Sequence, residues 1–214
     1  MHPTPVLPAA TRVYQYLKQA ILEQIHADGA LLTEAEIAAA VGVSRTPVRE
    51  ALLRLESEGL VALYPKRGAL VLPVSAQEIE DVIEARQLVE VHAARRAFAR
   101  RAALVQVLRP LLAAMRTAQE RDDVVALMTA DREFHAAVVQ AGGNRILTDV
   151  YQRLRDRQMR IGVASMRLEP QRRQRALADH ASLLAALSGD DLEHWTELVE
   201  SHIDTFANHL RPAR

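Results

Sequence analysis

The helix that decides the fold of this chain reads VSRTPVREAL at residues 43–52. Ser44 or Thr46 can cap its N-terminus, and Pro47 falls in the first turn, where a missing N–H costs little. Apolar side chains recur at helical spacing along one face of this segment, namely Val48, Ala51, Leu52 and Leu55. The pattern predicts a helix with one buried face and one polar face that carries arginines.

Two further helices are predicted before this one. The first helix is amphipathic and ends before Asp28-Gly29. Its buried face is formed by Val13, Leu17, Ala20, Ile21 and Ile25. Thr33 and Glu36 have the spacing of a capping box, which predicts the start of a short second helix. Gly42 breaks that helix, so a tight turn joins it to the helix at 43–52.

A basic hairpin is predicted after the third helix. Gly59 is placed to end the helix, and short apolar segments follow at residues 60–63 and 69–72. Residues 64–68, which read YPKRG, form the tip between these two strands, and Pro73 ends the second strand. Three helices followed by a basic hairpin are the order of a winged helix-turn-helix.

The rest of the chain carries no further strand signal. Its helical segments are separated at residues 118–123, 142–144, 168–171 and 188–191. We therefore predict a mainly α protein, with a winged helix-turn-helix followed by an antiparallel all-α bundle of about six helices. The predicted divisions are a flexible N-terminus at 1–10, a DNA-binding domain at 11–73, a helical domain at 74–210 and a tail at 211–214.

Composition excludes several classes of protein. The chain has no cysteine, which rules out disulfides, cysteine-type zinc sites and thiol catalysis, so a metal would have to be held by histidines and carboxylates. It has no long uninterrupted apolar stretch and does not open with a basic leader, so we expect a cytoplasmic protein without a membrane partner. The net charge is zero, so attraction to nucleic acid has to come from local charge.

Local charge is concentrated on the helix at 43–52 and in the hairpin. Arg45 and Arg49 are four residues apart and share one helix face, where bidentate guanidinium groups can contact guanine O6 and N7. The remaining candidate DNA contacts are phosphate donors at the helix start and in the wing, with a glycine that permits the turn: Ser44, Thr46, Lys66, Arg67 and Gly68. The alternative is a solvated basic face.

Three histidines and an aspartate of the helical domain are candidate metal ligands. Asp131 and His135 are four residues apart, so they lie on adjacent turns of one helix face. His180 and His202 lie in two later helical segments with apolar neighbours, which favours inward-facing rings. The alternative is that each histidine is an ordinary surface or core residue.

The first third of the chain resembles the GntR family of bacterial transcription regulators. The resemblance extends over residues 11–71 and is carried by VSRTPVREAL at 43–52, RLE at 54–56, EGLV at 58–61 and PKRGA at 65–69. The loop at 28–33 is shorter than is usual in the family and lacks its proline, and Ala35 and Ala39 stand in the second helix where a basic residue is expected.

The helical domain resembles the ligand-binding domain of the FadR-like branch of this family, the FCD type. That resemblance implies that Asp131, His135, His180 and His202 hold a divalent metal, with Zn, Ni, Mn and Fe not distinguished. It also implies that Arg86 and Asn144 contact a small organic acid whose carboxylate binds the metal. Both residues have structural alternatives, Asn144 as a helix cap.

The resemblance implies a dimeric regulator, more often a repressor in this family, whose affinity for a pseudo-palindromic operator is controlled by the organic acid. A dimer is also expected because one small module makes few base contacts. One alternative is a DNA-binding protein with a purely structural dimerisation domain and no metal. A remote alternative is a metal-dependent hydrolase or lyase.

Overall fold

The computed structural model describes residues 7–210, with the side chains of residue 170 and of residues 207–210 left aside. The chain divides between Val74 and Ser75 into two compact units. The expected flexible N-terminus lies outside the described residues over 1–6, and so does the expected tail at 211–214. Ala9 and Ala10 were expected in that flexible segment, but they form the start of the first helix.

The first unit is a three-helix domain with a small antiparallel sheet. Its elements are α1 (Ala9–Leu22), β1 (Leu31–Leu32), α2 (Glu34–Val41), α3 (Arg45–Ser57), β2 (Val61–Tyr64) and β3 (Gly68–Val71). The strand order is β1-β3-β2, so the hairpin of β2 and β3 is extended by a two-residue strand that precedes α2. The sequence did not predict β1, because two residues are too few for an alternating pattern.

Capping explains where α2 and α3 begin. The hydroxyl of Thr33 accepts from the backbone N–H of Glu36, and the Glu36 carboxylate accepts from the backbone N–H of Thr33, which completes the predicted capping box. Ser44 occupies the N-cap position of α3 but makes no capping hydrogen bond through its side chain. The capping hydrogen bond that the sequence suggested for Ser44 is therefore absent.

The predicted first helix was too long at its C-terminal end. It ends at Leu22, and Gln24 has a left-handed φ of 56°, so the chain has turned before Ile25. Ile25 was expected in the core and is 64% exposed. The hairpin strands also begin and end one residue away from the predicted bounds, at 61–64 and 68–71.

The second unit is entirely helical over its described residues. Its elements are α4 (Ala76–Arg86), a π-helical turn (Gln87–Val91), α5 (His92–Ala97), a 3-10 turn (Phe98–Arg100), α6 (Arg101–Glu120), α7 (Val124–Ala141), α8 (Arg145–Arg153), α9 (Arg155–Leu168), α10 (Pro170–Leu187) and α11 (Leu192–Leu210). The predicted fold class is confirmed. The sequence missed the division between α8 and α9 at Leu154, where no glycine or proline marks the break.

Helix α7 is the centre of the second unit. It packs against α5, α6, α8 and α9, and its Phe134 is fully buried in the largest apolar cluster of the unit. Trp195 of α11 is also fully buried, and its indole N–H donates to the carbonyl of Ala94 at 3.2 Å. Residue 135 follows Phe134 on α7 and is buried as well.

Helix length and hydropathy bear on membrane association. Among the described residues, no helix combines the length and the apolar character that crossing a bilayer requires.

Gly68 is a residue that the wing requires. Its φ is +121°, and a Cβ at this position would lie 2.2 Å from the carbonyl oxygen of Leu32, the residue whose strand pairs with β3. Gly68→Ala is expected to destabilise the wing by about 2–3 kcal/mol. Hydrogen exchange of the amides of residues 61–71 in the full chain is the measurement, and their protection is expected to fall.

Gly59→Ala is the matched control, because Gly59 has a φ of +73° but open space around its added Cβ. Its expected cost is only the left-handed backbone, about 1 kcal/mol. Equal losses of protection in the two variants would contradict the role of the contact with Leu32.

Candidate DNA interface and candidate metal centre

The predicted DNA-contacting residues of α3 and the wing share one groove. Arg45 and Arg49 lie on the exposed face of α3, Lys66 and Arg67 lie in the hairpin turn, and Gly68 begins β3. The groove between them has a volume of about 680 Å³, and all five residues line it. We call this set of five residues the basic groove. Ser44 and Thr46 are exposed at the N-terminus of α3 but do not line the groove.

Arg49 of the basic groove is paired with an acid from α2. Its Nε donates to both carboxylate oxygens of Glu34, at 2.8 and 3.0 Å. This hydrogen bond with Arg49 lowers the pKa of the Glu34 carboxyl below its ordinary value. Glu34 was not predicted as part of the site, because a single acidic residue in a short helix does not indicate an ion pair with the following helix.

The structure brings the four predicted metal ligands together. His135 of α7, His180 of α10 and His202 of α11 direct their Nε2 atoms at one point, with 3.1 Å between His135 and His180 and 3.2 Å between His135 and His202. Ligand atoms of the three rings all lie within 4.8 Å of one another. Asp131 Oδ1 is 3.3 Å from His180 Nε2. We call these four residues the histidine cluster.

The opposite edges of the His180 and His135 rings face acceptors. His180 Nδ1 donates to the Ala176 carbonyl at 2.7 Å, and His135 Nδ1 lies 2.8 Å from Glu90 Oε2. His180 is neutral and carries its N–H on Nδ1, so its Nε2 has a lone pair. That lone pair is directed at His135 Nε2 at 3.1 Å, a contact that a proton or a metal cation between the two nitrogens would satisfy. That spacing is close to the roughly 3.3 Å expected between two nitrogens on one tetrahedral Zn²⁺.

The electrostatics of the cluster suit metal binding. Burial lowers the pKa of His180 to about 3 and also lowers the pKa of His202, so both rings are neutral at pH 7 and keep their lone pairs. Burial opposes ionisation of Asp131, but the neighbouring His180 and His135 bring its pKa below the ordinary value. Two neutral imidazoles beside an ionised carboxylate form a donor set that divalent metals accept.

A buried carboxylate that the sequence analysis missed supports this cluster. Glu90 is 1% exposed, and its Oε1 accepts from Arg86 Nε at 2.6 Å and from the Tyr151 hydroxyl at 2.7 Å. Burial opposes its charge, but Arg86 and His135 hold the pKa of Glu90 far below its ordinary range. The spacing of Arg86 and Glu90 by four residues was the available signal.

Arg86 is buried and lines a small cavity with Asp131, His135 and Tyr151. This inward position is the one expected of Arg86, although the structure also gives it a structural partner in Glu90. The cavity has a volume of about 10 Å³. That is about the room that one water molecule needs, so an organic acid requires the surrounding helices to move.

The expected effector contact of Asn144 is not supported by the structure. Its Oδ1 accepts from the backbone N–H groups of Ile146 and Leu147, at 3.1 and 3.2 Å, and so caps α8. The residue is exposed and does not line the cavity beside the histidine cluster. The helix-cap alternative therefore describes Asn144, because its acceptor oxygen is engaged by the first turn of α8.

Two family matches account for most of the chain. Residues 9–71 match the family described as bacterial regulatory proteins, gntR family. Residues 81–205 match the FCD domain family. The basic groove lies within the first match and the histidine cluster within the second.

Several known proteins are similar to this chain in sequence or in structure. An uncharacterized HTH-type transcriptional regulator of Agrobacterium vitis is 36% identical over 130 residues, which are 59% of this chain and 76% of that protein. The HTH-type transcriptional repressor RspR of Escherichia coli is 26% identical over 216 residues, which are 98% of this chain and 92% of that protein. The solved structure of E. coli McbR/YncC has a TM-score of 0.74 at 24% identity, over 96% of this chain and 98% of that one, and so shares the fold.

Glu90→Gln keeps the volume of the side chain and removes the charge that faces Arg86 and His135. The variant is expected to lower the free energy of unfolding of the helical unit by roughly 3–5 kcal/mol, because it removes the carboxylate that forms the buried ion pair with Arg86. Urea unfolding followed by the fluorescence of Trp195, the single tryptophan of the chain, is the measurement.

Glu84→Gln is the matched control, since Glu84 is an exposed acid of α4, the helix directly before the π-helical turn that contains Glu90. Its expected effect is within about 0.5 kcal/mol. The proposed role of Glu90 fails if the two variants unfold at the same urea concentration.

Proposed function

Since this chain belongs to the GntR family of bacterial regulatory proteins and carries an FCD domain, we propose that it is a repressor whose affinity for an operator is controlled by a small organic acid at a metal ion. The family membership makes the protein a DNA-binding transcription regulator and not an enzyme. In the proposal, residues 11–73 bind DNA and residues 74–210 sense the acid and form a homodimer. One observation carries the proposal: a basic groove and a histidine cluster are present in one chain.

The proposed DNA contacts follow from the chemistry of the basic groove. Arg45 and Arg49 contact base edges in the major groove, where a bidentate guanidinium recognises guanine. Lys66 and Arg67 contact phosphates from the wing, and Ser44 and Thr46 donate to phosphates at the N-terminus of α3. Both arginines are exposed, so they reach DNA without unfolding of the module. Two copies in a dimer contact the two halves of a pseudo-palindrome.

The proposed metal is a divalent ion held by the Nε2 atoms of His135, His180 and His202 and by the carboxylate of Asp131. The Nε2 lone pair of His180, directed at His135 Nε2, supports this proposal, because a metal cation between the two nitrogens would satisfy that contact. A bound ion supplies positive charge and open positions that a carboxylate can occupy. The nitrogen and oxygen donors suit Zn, Ni, Mn or Fe.

The proposed response to the acid depends on Arg86 and Glu90. The acid needs more than the cavity of about 10 Å³, so its carboxylate has to displace neighbouring groups, and Arg86 is one of the two arginines, with Arg132, that line this cavity. A carboxylate that binds Arg86 competes with Glu90, which holds both Arg86 and His135. Arg86 ends α4, the first helix after the DNA-binding unit in the chain. A shift of this helix therefore acts on the segment that joins the two units.

Replacing Arg45 and Arg49 together by alanine tests the DNA interface. The duplex is chosen by selecting the full-length protein's preferred sequence from a randomised library, and affinity is measured by fluorescence anisotropy. The double variant is expected to bind this duplex about 100-fold more weakly, with an unchanged melting temperature because both side chains are exposed.

Arg12→Ala is the control for the DNA test, because Arg12 is an exposed arginine of the same unit that does not line the groove. Its affinity is expected to stay within about twofold of the unchanged protein. Unchanged affinity in the double variant rules out the basic groove as the DNA interface.

Removing His180 and His202 together tests the metal site. Protein purified without a histidine tag is expected to contain close to one divalent ion per chain by elemental analysis, and His180→Ala with His202→Ala is expected to contain none. His194→Ala is the control, since His194 is an exposed histidine of α11 outside the cluster. Trp195 fluorescence reports whether each variant is folded. Metal retained by a folded double variant refutes the site.

A further inference from the structure

The ion pair between Glu34 and Arg49 engages one edge of the guanidinium. Both carboxylate oxygens of Glu34 accept from Nε of Arg49, and the two terminal nitrogens, Nη1 and Nη2, donate to no acceptor among the described residues. The side chain of Arg49 is 64% exposed and that of Glu34 is 28% exposed. The two terminal nitrogens are the pair that donates in parallel to guanine O6 and N7.

Arg45 has no such partner. It lies one helical turn before Arg49 on the same face of α3, and no described residue forms a hydrogen bond or an ion pair with it. Both arginines line the same groove, and so does Glu34. Glu34 therefore acts differently on the two arginines, because its carboxylate accepts hydrogen bonds from Arg49 at 2.8 and 3.0 Å and interacts with Arg45 only through charge.

We propose that Glu34 is a specificity-determining residue of the DNA interface, which orients Arg49 toward a base edge and disfavours its binding to phosphate. A phosphate is an anion and is repelled by the Glu34 carboxylate, whereas guanine O6 and N7 are neutral acceptors. Glu34 thus lowers the affinity of the protein for DNA of unrelated sequence more than its affinity for DNA that carries guanine at the position contacted by Arg49. This inference rests on the proposed interface, since it assigns a role to a neighbour of Arg49.

The position of Glu34 at the start of α2 makes this orientation rigid. Glu34 is the first residue of α2, directly after the capping box of Thr33 and Glu36, which fixes the first turn. Helix α2 packs against α3. The carboxylate is therefore carried by one helix and the guanidinium by the next, so the hydrogen bonds fix Arg49 in relation to the module as a whole.

Two variants of Glu34 separate the effect of its charge from the effect of its hydrogen bonds to Arg49. Glu34→Gln removes the charge and keeps an acceptor oxygen for Nε, and Glu34→Ala removes both. Binding is measured by anisotropy from low to high salt, on the duplex selected by the unchanged protein and on a scrambled duplex. Both variants are expected to bind the scrambled duplex more tightly at low salt, with the slope of log K against log salt steeper by about 0.9 per module.

The ratio of selected to scrambled affinity is expected to fall about tenfold in Glu34→Ala and by less in Glu34→Gln. A new selection from the randomised library with Glu34→Ala is expected to lose preference at one base per half-site. Glu50→Gln is the matched control, because Glu50 is an exposed acid next to Arg49 that does not line the groove. Its affinity ratio is expected to be unchanged within about twofold.

Arg49→Ala distinguishes failure of the proposed DNA interface from failure of the proposed role of Glu34. If Arg49→Ala binds the selected duplex as the unchanged protein does, the proposed interface is wrong. If Arg49→Ala loses selectivity while Glu34→Ala keeps the same base preferences and the same salt slope, the interface stands and the role of Glu34 is overturned.

Discussion

The Glu90 carboxylate is the constraint on which the helical unit depends. A buried ion costs several kcal/mol unless partners replace its water, and Glu90 has a guanidinium, a phenol and an imidazole around it. Its partners Arg86, His135 and Tyr151 come from α4, α7 and α8, so one carboxylate fixes the mutual position of three helices. The imidazole among these partners belongs to the histidine cluster, and the geometry of that cluster is therefore a property of the packed helices.

Apolar packing completes the orientation of the rings. Phe134 is a core residue, and its ring meets the ring of His180 edge-on at 4.8 Å. The rings of His135 and His202 are stacked at 5.0 Å. Side chains held in this way lose little conformational freedom when they coordinate an ion, so the entropic cost of assembling the donors has already been met in folding. The core and the cluster share helix α7.

Local patterns predicted much of this molecule and failed where partners are distant in sequence. The capping box of α2 and the arginines of α3 depend on neighbours within one or two turns, and the sequence specifies them directly. The candidate metal ligands were predicted through a resemblance, because spacing relates only Asp131 to His135. Glu90 and Tyr151 are 61 residues apart, so the four-residue spacing that relates Glu90 to Arg86 gives no information about Tyr151. The prediction that Ile25 is buried was wrong, because α1 ends at Leu22 and Gln24 adopts a left-handed conformation before Ile25.

The small size of the cavity beside the histidine cluster has a kinetic consequence. A space of about 10 Å³ admits nothing larger than a water molecule, so any organic ligand binds only the fraction of molecules that is open. Its apparent affinity is weaker than its intrinsic affinity by that fraction, and its association rate has the opening rate as a ceiling. Release is limited in the same way, since the helices must reopen first.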